Sequence, residues 1–102
     1  MGGRATVTDT AEAIRAAVVR YVSYNPTALD GSELTPIRSG EAFREDDGTV
    51  RIGAWRLEER DDGPVLVRGR GVGTGRRTVV SLEERDGDWR VTGVGEERSD
   101  GG

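Results

Sequence analysis

Arg77-Thr-Val-Val-Ser-Leu-Glu-Glu-Arg-Asp-Gly-Asp-Trp-Arg-Val-Thr-Gly-Val94 reads as two strands around a tight turn. Thr78, Val80 and Leu82 fall on one side at period two, and so do Trp89 and Val91. Between them, Asp86-Gly87-Asp88 supplies the residue types that short hairpins need at positive φ. Moving upstream, the same period recurs at 64–72, 49–59 and 41–45. The intervening turns are Gly73-Thr74-Gly75-Arg76, Asp61-Asp62-Gly63-Pro64 and Asp46-Asp47-Gly48. Such short connections join antiparallel neighbours, so the segments form a meander. In 49–59, Val50, Ile52 and Ala54 share one side while Trp55 and Leu57 share the other. A bulge near Gly53–Ala54 would bring all five into the core.

Ahead of the sheet stands one helix, expected over 9–24. Asp9 and Glu12 suit a capping box, and Ile14, Ala17, Val18, Tyr21 and Val22 lie on one face. Asn25, in a left-handed C-terminal position, and Pro26 would end it. Residues 25–40 carry two prolines and no period, and read as a loop. The expected fold class is α+β: an N-terminal helix on a curved antiparallel meander of four to five strands (41–45, 49–59, 64–72, 77–85, 89–94). Residues 9–94 make one domain, with flexible segments at 1–8 and 95–102.

The 102 residues contain no histidine, cysteine or lysine, against 15 arginines and 19 acids, for a net charge of −4. This removes the usual neutral-pH acid–base groups, thiolate and Schiff-base chemistry, and the common transition-metal ligands. No metal and no cofactor is expected, and the reading leans away from an enzyme. A mildly acidic chain disfavours nucleic acid as a partner. No apolar run reaches spanning length, and the absence of cysteine speaks against a disulfide-stapled secreted scaffold, so a cytoplasmic protein with no membrane contact is expected.

Residues 57–61, Leu-Glu-Glu-Arg-Asp, recur as 82–86. In a five-strand meander the turns at 60–63 and 86–88 share one end, and those at 46–48 and 73–76 share the other. Carboxylates would crowd the first end, and Arg68, Arg70, Arg76 and Arg77 the second. The charged ends suit a solvated rim, self-association, or an anion site at the arginines, with Gly71 and Gly73 offering bare backbone beside them. Gly69, Gly71, Gly73 and Gly75 leave one strand face without side chains, as a sharp bend or close helix approach would require. The same run fails the dinucleotide pattern, because Thr74 stands where a third glycine belongs, and it lacks the P-loop lysine. Tyr21, Tyr24, Asp30, Arg38 and Trp55 are candidates to line a pocket, with Glu33 and Glu41 as further carboxylates near it.

The order helix, long connection, meander, ending in Glu84-Arg-Asp-Gly-Asp-Trp89-Arg-Val-Thr, resembles cystatin-like and NTF2-like domains. The resemblance implies a bent sheet around a helix, a shallow cavity between them, and dimerisation through the sheet. A full NTF2-like cone also has more helices, which residues 26–40 would have to supply. The cystatin inhibitor signature Gln-x-Val-x-Gly is absent. The expected function is a small non-enzymatic binding domain whose partner is a second copy or another protein. The alternatives are a small-ligand-binding or carboxylate-dependent protein of NTF2-like form, and an anion or nucleic-acid contact along 68–77.

Overall fold

The computed structural model describes residues 7–68 and 76–98. Helix α1 runs Val7–Tyr24. It begins two residues earlier than expected, so Asp9 lies within the first turn rather than at the position before it. Ala11, Ile14, Val18 and Val22 form its buried stripe, and Ala17 and Tyr21 flank that stripe half-buried. Asn25 ends the helix without entering the left-handed region. Its backbone N–H donates to the Tyr21 and Val22 carbonyls at 2.9 and 3.1 Å, and its side-chain Nδ2 donates to Tyr21 O at 3.0 Å.

The segment expected as a loop contains a second helix, α2, Gly31–Ser39. Its start is a capping box: Asp30 accepts from Glu33 N at 2.9 Å, and Glu33 Oε1 accepts from Asp30 N at 3.0 Å. Gly31 and an interior Pro36 hide this helix from propensity. Tertiary contacts supply what propensity lacks. Ile37 is fully buried, and Arg15 of α1 caps the far end, donating from Nε to Ile37 O at 2.7 Å and from Nη2 to Gly40 O at 2.6 Å. Glu12 holds the same guanidinium at 2.7 Å.

Six antiparallel strands follow in sheet order β1 to β6: β1 Ala42–Arg44, β2 Val50–Ile52, β3 Trp55–Arg60, β4 Gly63–Arg68, β5 Arg76–Arg85 and β6 Asp88–Arg98. The expected strand 49–59 is two strands. Gly53 at φ 58 makes a two-residue turn with Ala54, pairing Ile52 with Trp55 across it, so a hairpin stands where a bulge was expected. Ile52 and Trp55 are fully buried, Val50 and Leu57 half-buried, and Ala54 exposed. Gly53 also lies against α2, where an added Cβ would meet Pro36 O at 2.7 Å. The hairpin turn at the other end of the sheet has both central residues at positive φ, Asp86 at 55 and Gly87 at 83, as its Asp-Gly sequence anticipates. β6 continues through residues 95–98, expected as flexible tail, because the ten-residue β5 supplies partners for them out to Arg76. The register shifts between Ser81 and Leu82, leaving Thr92 as an extra residue.

The core lies between the helices and one face of the sheet. Ala11, Ile14, Val18 and Val22 join Leu29, Ile37, Ile52, Trp55, Leu66, Val80 and Leu82 there. α1 approaches both β6 and β1–β2, which are opposite edges of the sheet, so the sheet curls around it. Val65 and Val67 alternate with core residue Leu66 and are buried on the outer face. Charged side chains cover that face. Glu58 holds Arg56 at 2.5 Å and Arg60 at 2.8 Å, while Glu97 takes Arg60 at 2.8 Å and Arg77 at 3.0 Å. The register puts Arg60 beside Gly63 and Glu97 beside Arg77, at diagonal corners of the four-strand block. Their contact therefore requires the sheet to coil across this face.

Candidate functional site

The extra reversal at Gly53–Ala54 changes which turns share an end. Six strands in this order place the turns 45–49, 61–62 and 86–87 together, with 53–54 opposite. The Asp46-Asp47-Gly48 turn thus joins the other acidic turns, where the five-strand reading had put it with the arginines. Asp46, Asp47, Asp61, Asp62, Asp86 and Asp88 gather at this end.

Beside it opens a groove of about 350 Å³, bounded by the last turns of α1 and the start of β6. Tyr21 and Tyr24 lie three apart on the helix, one turn past Ala17, and so share its flank. Trp89 and Val91 come from β6 on the same side as Leu82. Tyr24 is 76% exposed, an unusual state for a large ring. Arg20, Asn25, Asp88 and Arg90 complete the walls. Arg20 makes no ion pair among the described residues. Arg90 reaches Asp88 at 3.6 Å with both side chains about 70% exposed, which barely restrains it. The groove offers aromatic faces and two available guanidinium groups. The chemistry of such a set suits an apolar or aromatic group bearing negative charge. Asp88 and the tyrosine hydroxyls are its only proton-transfer groups, and none is buried.

A second polar cluster surrounds the N-terminus of α2. Glu33 Oε2 accepts from the hydroxyl of buried Thr78, and its carbonyl accepts from Trp55 Nε1 at 3.0 Å. Arg68 pairs across the strands with Trp55 and makes no ion pair among the described residues. The Asp30 carboxyl is held below its ordinary value by the Ser32 hydroxyl first and the Glu33 N–H next, with a smaller pull from Arg68. This cluster positions α2 on the sheet and satisfies the indole.

The pocket candidates therefore separate. Tyr21 and Tyr24 line the groove, Asp30 caps α2, and Trp55 is core with no exposed surface. Arg38 is exposed in the last turn of α2, away from both. Of the arginine set, Arg68 ends β4, Arg76 and Arg77 begin β5, and Arg77 is engaged by Glu97. Arg70, Gly71 and Gly73, with the rest of the glycine stripe, lie outside the described residues. Sequence reasoning missed Arg20, Asn25, Trp89 and Arg90 as groove residues. The available signal was Tyr24, an aromatic that falls off the apolar stripe of Ile14, Val18 and Val22 on the flank it shares with Tyr21.

Among the described residues no helix is long and apolar enough to cross a membrane, and no group of three or more His, Cys, Asp or Glu side chains is placed to hold a metal. No family model, no curated protein and no solved structure matches the chain.

Proposed function

We propose that this protein is a non-enzymatic binding domain whose contact surface is the groove between α1 and β6. The observation that carries the reading is Tyr24, an aromatic ring 76% exposed beside Tyr21 and Trp89, with Arg20 and the loosely held Arg90 on the walls. Large rings left in water at a concave surface are the usual anchors of protein contacts, and arginine is the charged residue most enriched beside them. A pocket under the helix has less support, because Ile14, Ile52, Trp55, Leu66 and Val80 fill that space, each with no exposed surface.

Selection of a displayed random-peptide library on the folded protein tests the reading. Recovered peptides should carry an aromatic or proline anchor with acidic neighbours, and should lose about tenfold in affinity or more on Tyr24→Ala, or about 1.4 kcal/mol. Their amide shift changes should centre on Ala17, Tyr21, Tyr24 and Trp89. Peptides that bind Tyr24→Ala as well as the parent would overturn it, and so would an empty selection.

A further inference from the structure

Two large apolar side chains are exposed among the described residues, Tyr24 at 76% and Phe43 at 41%. They belong to opposite edges of one sheet: Phe43 is the middle residue of edge strand β1, and Tyr24 stands beside edge strand β6. Phe43 pairs with Arg51 across β1–β2, and the neighbouring pair Ala42–Ile52 faces the core, so Phe43 projects outward. Its surroundings are acidic. Residues 41–47 carry four carboxylates (Glu41, Glu45, Asp46 and Asp47) against one guanidinium, Arg44. Arg51 engages Glu45 at 3.1 Å, leaving Glu41, Asp46 and Asp47 exposed.

The two edges are complementary. One presents a ring set in negative charge. The other presents an aromatic groove walled by Arg20 and Arg90, with Asp88 between them holding Arg90 only loosely at 3.6 Å. Resting on the groove reading above, we propose that the groove's occupant is a second copy of this chain, with Phe43 of one molecule seated between Tyr21, Tyr24 and Trp89 of the next. The acidic β1–β2 turn then meets Arg20 and Arg90. Charge decides the symmetry. A two-fold groove-to-groove contact would set Arg20 and Arg90 against their own copies, whereas a head-to-tail contact sets them against carboxylates. Each molecule keeps a free Phe43 at one side and a free groove at the other, so the assembly grows in a chain or closes as a ring. One ring and a few exposed ion pairs make a weak contact, with a dissociation constant on the order of 10 µM to 1 mM, loosened by salt.

Sedimentation equilibrium from about 5 µM to 1 mM protein, at low and at about 0.5 M salt, reads this directly. The weight-average mass of the parent should rise above 11.0 kDa with concentration, pass the dimer value, and fall back in salt. Phe43→Ala and Tyr24→Ala should each stay monomeric, since both side chains are exposed and neither change disturbs the core. Their equimolar mixture is the decisive sample. Phe43→Ala keeps an intact groove and Tyr24→Ala keeps an intact Phe43, so together they should form a one-to-one dimer and stop there. A parent that stays monomeric throughout overturns the proposal. So does a mixture that fails to pair, or a parent that plateaus at the dimer. A monomeric parent whose selected peptides still depend on Tyr24 would sink self-association and leave the groove reading standing.

Discussion

Replacing Glu97 by Gln tests whether the ion network closes the outer face of the sheet. Hydrogen bonding to Arg60 is the largest influence on this carboxyl, and Arg77 adds to it. Burial opposes them, and the net effect brings the group from 4.5 down to about 2. At 1.36 kcal/mol per pH unit, that drop sets a ceiling of about 3.4 kcal/mol on what the ionised form contributes to stability. The partners are partly solvated, with side-chain exposures of 29% for Glu97, 34% for Arg60 and 28% for Arg77. Solvent screening brings the expected loss to about 1–2 kcal/mol at pH 7. The sign follows from the direction. A folded-state value below the unfolded one gives a contribution that is complete above about pH 4.5 and is lost as pH falls through about 2. Urea titrations of parent and variant should differ by this amount at pH 7. The gap should narrow below pH 4.5 and close near pH 2, and it should shrink in high salt. Glu58, which burial pushes up but Arg60 and Arg56 pull below its ordinary value, shares Arg60 with Glu97, so a Glu58→Gln variant and the double variant complete a cycle that separates its contribution. Equal stability at pH 7 within about 0.3 kcal/mol, or a gap that persists at pH 2, would refute the closure of diagonal corners by this pair.

Arg15→Ala removes the donors for two carbonyls at the end of α2 and should cost about 2–3 kcal/mol, with faster amide exchange across 34–40 than elsewhere; exchange that rises uniformly along the chain would count against a local cap. Gly53→Ala combines positive φ with a Cβ 2.7 Å from Pro36 O, and should cost about 2 kcal/mol or more. Gly93→Ala meets nothing within 4 Å and should stay within about 0.5 kcal/mol of the parent. Thermal melts of the two glycine variants decide between a packed hairpin turn and a freely exposed one.

The parts of this fold that sequence could disclose are those specified by neighbours in the chain. Asp86-Gly87 announces its turn because both central residues need positive φ, and the buried stripe of α1 repeats at helical spacing over about three turns. What stayed hidden depends on distant residues. α2 has a poor intrinsic sequence, with glycine at its first position and proline inside, and is held by Arg15 from the preceding helix and by Trp55 from β3. Only its capping box was local, and Asp30-x-x-Glu33 could have revealed it. Gly53 carried an ambiguity of another kind. A single glycine between apolar residues fits a bulge or a two-residue hairpin equally well, and the choice is made by Pro36 and Gly40 closing over it.

That one ambiguity governs the charge map. A bulge at Gly53 keeps the chain running forward, so the 46–48 turn goes to the arginine end. A reversal there adds a strand and moves the turn to the acidic end, beside the 61–62 and 86–87 turns. In either arrangement β1 is an edge strand; in the six-strand sheet its Phe43 points outward among carboxylates, while the groove on the far edge carries Arg20 and Arg90 with Asp88 between them. The acidic turns still share one strand end, but the contact proposed above draws on a second separation of charge, across the sheet from the β1 edge to Arg20 and Arg90. An along-strand separation would favour stacking of sheet ends; an edge-to-edge separation favours lateral association. The missing lysines and histidines do not enter this argument. Arginine does, because its planar, permanently charged head can stack against Trp89 or a tyrosine while still meeting a carboxylate. The contact proposed for the groove therefore rests on ring faces and on guanidinium groups that stay charged across physiological pH.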